Sequence, residues 1–153
     1  MNTLLDPADP RLATLVLKSG AHKSVDEGMC FMEAVAWLRG QSFTDHPVCV
    51  ANTIGAAGRA LNDGIADEAQ RTALLLPLIP VVVGTATTAA DEITRAWLAT
   101  DFLVREITPA WMECAGLKDG AAKLRALPPL TSPEIARGIQ DVLESACQES
   151  DAA

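Results

Sequence analysis

Both histidines of the chain and two of its four cysteines fall between Gly20 and Cys49, in GAHKSVDEGMCFMEAVAWLRGQSFTDHPVC. Thiolate and imidazole are the ligands of zinc sites and the partners of cysteine nucleophiles. His22, Cys30, His46 and Cys49 are spaced H-x7-C-x15-H-x2-C. The HPVC half lets one turn of chain offer two ligands to a tetrahedral ion, whereas H-x7-C is looser than common zinc spacings. These four are the candidate metal set, with zinc as the ion they would suit. The same residues also suit a nucleophile. Cys30 lies near the start of a predicted helix, where free amides and the helix dipole stabilise a thiolate. His22 or His46 would be its base, as in a cysteine hydrolase or transferase. A third possibility is structural, because free cysteine packs as a small hydrophobe. Cys114 and Cys147, in WMECAGL and ESACQE, read that way, and Cys30 and Cys49 can too.

Glu33 is the other informative residue. Met29 to Leu38 reads MCFMEAVAWL, apolar almost all round, and a helix of that kind is buried. Its carboxylate must then be paired or hydrogen-bonded. The expected partner is an arginine, Arg59 first, or backbone amides. Cys49, Asn52, Ala56 and Arg59 form one stripe of a following helix. Asp101 sits among apolar residues in WLATDFLV, with Arg105 one turn on. Glu33, Asn52, Arg59 and Asp101 are therefore the candidate polar cluster, either structural or lining a small-ligand pocket.

The elements that must position these residues are helical. Ser24 or Asp26 caps a helix running to about Arg39, with Gly40 as its stop. Thr44 or Asp45 caps a second, from about Pro47 to Leu61, ended by Asn62-Asp63-Gly64. Its Gly55 and Gly58 allow another helix to approach closely. A third begins near Ala66 and is kinked or cut near Leu76 by Pro77 and Pro80. Thr88 or Asp91 starts the next, with Ile93, Ala96, Trp97, Phe102, Leu103 and Val104 as its apolar positions. Thr108-Pro109 opens a new helix, a short one follows Gly116, and Ser132-Pro133 opens the last, to about Gln148. Residues 1–10 form a proline-punctuated arm, residues 149–153 a fraying tail, and RLATLVLKSG a short helix or single strand. The expected fold is all-α: a single compact domain of about six to eight helices with mixed crossing angles, and no sheet beyond one hairpin.

Composition narrows the function. The chain has 153 residues, 49% of them hydrophobic and 21% charged, with no tyrosine and a net charge of −8. That balance is globular, and it lacks the basic face that direct nucleic-acid binding needs. The carboxylates are also too dispersed for a DNA mimic. The arm has no basic and apolar leader pattern, and the longest apolar run, ALLLPLIPVVVG, is too short to cross a membrane. A cytoplasmic setting with reduced thiols is expected. GTATTAAD lacks the lysine of a phosphate loop, and neither G-x-S-x-G nor H-E-x-x-H occurs. These absences move the expectation from catalysis toward binding.

SGAHKSVDEGMCFMEAVAWLRGQSFTDHPVC, RALNDG and ATDFLVREITPAWMECAGL together resemble a group of small uncharacterised proteins from actinobacteria and their phages. The resemblance spans about residues 14–120. It implies a stand-alone intracellular protein, with a phage among its candidate sources, and transfers no activity and no functional residue. The expectation is thus a small binding or interaction protein with a candidate Cys/His metal site. Its partner is another protein rather than a membrane. The rivals are the cysteine enzyme and an accessory factor that only binds protein.

Overall fold

The computed structural model describes residues 5–151. Helix covers 63% of the chain, and among the described residues the only β pairing is one isolated parallel bridge, Leu17 to Met29. The all-α class is as expected, with seven continuous helical stretches among the described residues. The packing forms two compact units, Met1–Glu92 and Ile93–Ala153, each with its own hydrophobic cluster.

In the first unit, α1 (Phe31–Leu38) is the centre. Every residue of it except Trp37 is buried, which is what its all-round apolar sequence requires. It starts later than expected. Val25–Glu27 makes only a 3-10 turn, and Gly28 at φ 122° breaks the path, so Cys30 rather than Ser24 is the N-cap. Gly40, at φ 63°, provides the stop. The next helix, α2 (Asn52–Gly64), also starts late, because Pro47 to Val50 is closed as a turn by Val50 N–H donating to Pro47 O. Gly55 and Gly58 are buried on the side of α2 that meets α1. Next, α3 (Glu68–Leu75) runs through a 3-10 turn, Leu76–Leu78, into α4 (Ile79–Val82). The prolines at 77 and 80 each remove an amide donor, and the helix tightens there instead of ending.

The second unit holds most of α5 (Ala89–Phe102), then α6 (Thr108–Cys114), α7 (Lys118–Arg125), α8 (Pro133–Gly138) and α9 (Gln140–Asp151). Met112, Ala121, Leu124, Leu127, Leu130, Ile139 and Ala146 form its core, with Trp97 and Val104 packed against it. Thr108-Pro109 does not open a separate helix. A π turn, Leu103–Ile107, joins α5 to α6, with Thr108 N–H donating to Leu103 O. The wide turn absorbs the proline, whose ring and missing amide an α-helical path would not tolerate. It also inserts one residue into the helical repeat. Trp97, Val104 and Trp111 are seven apart and would share one stripe in an unbroken helix. Instead Met112 is the buried residue and Trp111 is 73% exposed. Ile93, Phe102 and Leu103, expected on the apolar face, are exposed as well. The last helix continues to Asp151, past the expected end at Gln148. Residues 1–4 of the arm and 152–153 of the tail lie outside the described residues.

A methyl at Gly58 would lie 3.0 Å from Met32 Cε and 3.1 Å from the Phe31 ring. Both neighbours are fully buried and have little room to yield. Gly58→Ala should therefore lower stability by about 1–2 kcal/mol in chemical denaturation, although alanine is the better helix former. A gain in stability would show that α1 and α2 are not in close contact.

Candidate functional site

Cys30 and Glu33 close a capping box at the head of α1. The Glu33 amide donates to Cys30 Sγ (3.4 Å), and the Cys30 amide donates to Glu33 Oε2 (2.7 Å). This is the S/T-x-x-E device with a thiol in place of the hydroxyl. The same carboxylate reaches back to the preceding loop. The His22 amide donates to Oε1 at 2.7 Å, and the His22 ring Nδ1 lies 2.9 Å from Oε2. An ionised carboxylate only accepts, so Nδ1 carries the proton. Glu33 is 1% exposed. Burial raises its pKa, but the amides of His22 and Cys30 and the His22 ring outweigh that, and the carboxyl titrates below its ordinary range.

A second group of polar side chains fastens the start of that loop. Asn62, on α2, accepts from the Phe31 amide (3.0 Å) and donates to Lys18 O (2.9 Å). Asp63 accepts from the Gly20 amide (2.8 Å), and Thr72 from the Leu17 amide (3.0 Å). Arg71 is 3% exposed and donates to the carbonyls of Asn62 (2.7 Å), Leu17 (3.2 Å), Ile65 and Ala66. Several of these carbonyls belong to the C-terminal end of α2, where the dipole favours a cation. The segment from Leu17 to His22 has only the bridge to Met29, with the Lys18 amide donating to Met29 O (2.9 Å), so side chains satisfy much of the rest of its backbone. Gly28 lets the loop close. A Cβ there would fall 2.4 Å from Lys18 Cδ.

The structure rearranges the expected site. Glu33 is buried, and backbone amides satisfy it, the second of the two expected arrangements; His22 joins them, and Arg59, the first, does not. Arg59 Nη1 instead donates to Asp45 O (2.9 Å), holding the connection before α2. Asn52 is exposed and lines no cluster. Asp101 lies in the second unit, where it accepts from the Leu130 amide (2.8 Å) and from Arg105 (3.2 Å). Its carboxyl is held low chiefly by that amide. The metal set does not assemble: among the described residues no three His, Cys, Asp or Glu side chains are grouped to hold an ion. His22 is committed to Glu33, exposed His46 to Asp45 (2.7 Å), and Cys30 to the cap. Nor is Cys30 a thiolate, because burial, foremost, pushes its pKa up to about 12. Cys114 and Cys147, expected to be buried, are exposed.

Sequence reasoning missed the roles of Asn62, Asp63, Arg71 and Thr72. Asn62-Asp63 reads as a helix stop, and their long-range partners leave no local pattern. The C-x-x-E spacing would have been legible as a capping box had the helix been started at Cys30 rather than at Ser24 or Asp26. No protein-family model, curated protein or solved structure matches the chain.

Glu33→Ala strands the buried Cys30 amide, the half-buried His22 amide and an imidazole N–H, and should cost about 3–5 kcal/mol. Glu33→Gln keeps one acceptor and should cost less. The lowered folded pKa means that Glu33 stabilises the fold above the unfolded carboxyl's pKa. That contribution disappears as pH falls through the folded value. The acid limb of a stability-against-pH curve should therefore flatten in Glu33→Ala, and an unchanged limb would remove Glu33 from the account. Alkylation of the native protein at neutral pH should label Cys114 and Cys147 and spare Cys30 and Cys49, with all four labelled after denaturation. Rapid labelling of native Cys30 would contradict its burial.

Proposed function

We propose that the chain works by binding another protein through the outward face of α5 and α6. The observation that carries this is the exposed apolar side of α5 and α6. Over the 14 residues of α5 none is buried. Leu98 is 63% exposed, Phe102 57%, Leu103 53% and Trp111 73%. Leu98 and Phe102 are one turn apart on one stripe, Leu103 is adjacent, and the π turn brings Trp111 to the outside beyond them. Each of these side chains leaves more than half of its surface to solvent, a concentration of exposed apolar groups on two successive helices of the kind that marks interaction sites.

The polar residues argue the same way. Glu33, His22 and Cys30 spend their hydrogen-bonding capacity on one another and on backbone, which leaves the cysteine-enzyme rival without an ionised nucleophile. No helix among the described residues is long and apolar enough to cross a membrane. The four free cysteines fit a reducing cytoplasm.

A photo-crosslinking amino acid at Leu98 should give one discrete protein adduct in cells that make the chain. The same residue at exposed Gln148 should give none, and Phe102→Ser should abolish the Leu98 adduct. Equal adducts at both positions, or none at Leu98, would refute the assignment.

A further inference from the structure

The second unit holds a cavity of about 460 Å³ between the end of α7, the turn after it and the first turns of α9. Small-ligand sites occupy about 300–1,000 Å³. Leu127, Pro128 and Val142 give the cavity an apolar wall, and among the described residues lining it Lys123 and Asp141 are the charged ones. Their charges are opposite but are not spent on each other. Lys123 Nζ donates to Ser145 Oγ at 3.2 Å, and Asp141 has no partner among the described residues. Asp141 and Ser145 are one turn apart on α9 and share a face, so about 6 Å of helix rise separates the hydroxyl that holds the ammonium from the residue that carries the carboxylate. Two exposed charges at such a distance gain little from each other in water. A molecule with its own ammonium and carboxylate satisfies both. In an α-amino acid these groups flank one carbon, and a hydrogen bond of about 2.9 Å at either end extends their reach across a gap of this order. We propose that the cavity binds a free apolar α-amino acid. Its carboxylate lies on Lys123 and the Ser145 hydroxyl, its ammonium on Asp141, and its side chain against Leu127, Pro128 and Val142. Both end contacts are charge-assisted, and the pair selects a zwitterion where either charge alone would take any simple ion. The wall disfavours a polar side chain, whose groups it would leave unpaired. This site is independent of the α5–α6 face, and the failure of either leaves the other standing.

Backbone amide shifts of the full chain, titrated with three ligands that share one side chain, test this. L-Leucine should move the amides of Leu127, Val142 and Ser145 and saturate with a Kd of about 1 mM or below. N-acetyl-leucine lacks the ammonium and leucinamide lacks the carboxylate, and each should bind at least about tenfold more weakly, the loss of one charge-assisted hydrogen bond. L-Serine keeps both charges without the apolar side chain and should also bind more weakly than leucine. Asp141→Asn should reduce leucine to the affinity of N-acetyl-leucine and leave N-acetyl-leucine itself unchanged. Lys123→Met should do the same with respect to leucinamide. Both side chains are exposed, so far-ultraviolet helicity should be preserved in the two variants. If a variant unfolds, the ligand comparison on the parent chain still decides. Equal affinity for leucine, N-acetyl-leucine and leucinamide would overturn the zwitterion assignment, as would unchanged leucine binding in both variants. Shifts centred on other residues, or none with about 10 mM leucine, would overturn the site itself.

Discussion

A carboxylate with almost no access to water must find its solvation inside the protein, and Glu33 finds it at the one place on α1 built to supply it. The first turn of any helix leaves amide hydrogens without intrahelical acceptors, and its dipole end is positive. The side chain of Glu33 folds back onto that end and takes the Cys30 amide. Its other oxygen is then free to capture the His22 amide from the loop. One ion thus starts the helix, fixes the loop and orients an imidazole. Because α1 is buried on nearly every side, the first unit's core assembles around a helix whose beginning is set by this contact.

The other end of the loop uses the opposite charge under the same logic. Arg71 is a cation buried among carbonyls at the C-terminal end of α2, where the dipole is negative. Asn62 connects the two arrangements, since it accepts from Phe31 at the start of α1 and gives its own carbonyl to Arg71. A buried charge held only by a counter-ion would suffer a large desolvation cost. Here each charge is solvated mainly by oriented backbone dipoles, which need no second ion brought out of water.

The elements were more legible than the site, for a physical reason. Helix formation is signalled locally: α1 by its apolar run, α8 by Ser132 accepting from the Ile135 amide, and the glycine stop by Gly40. The closeness of α1 and α2 was legible too, through Gly55 and Gly58. The site is made of long-range bonds, such as Leu17 to Thr72 and Lys18 to Asn62, which no spacing in the chain announces. Histidine and cysteine suggested chemistry because they can do it. Whether they do depends on water and on free lone pairs, and the fold gives His22 and Cys30 little of either.

The π turn shows how the chain divides its apolar residues between core and surface. Without it, Trp111 would continue the stripe of Trp97 and Val104 and be buried in the second unit. One extra residue rotates everything after it by about 100°, the angle per residue of an α-helix. Met112 then takes the inward place, flexible enough to fill it, and the larger indole turns to solvent. Pro109 makes the arrangement hard to undo, because a regular helix through that position would lose an amide bond and meet the proline ring. A tryptophan held outside by a backbone irregularity, beside a helix with no buried residue, forgoes burial that the same sequence could otherwise have had. The binding face proposed on α5 and α6 gives that exposure a purpose, because the apolar surface withheld from the core is the surface a partner would cover.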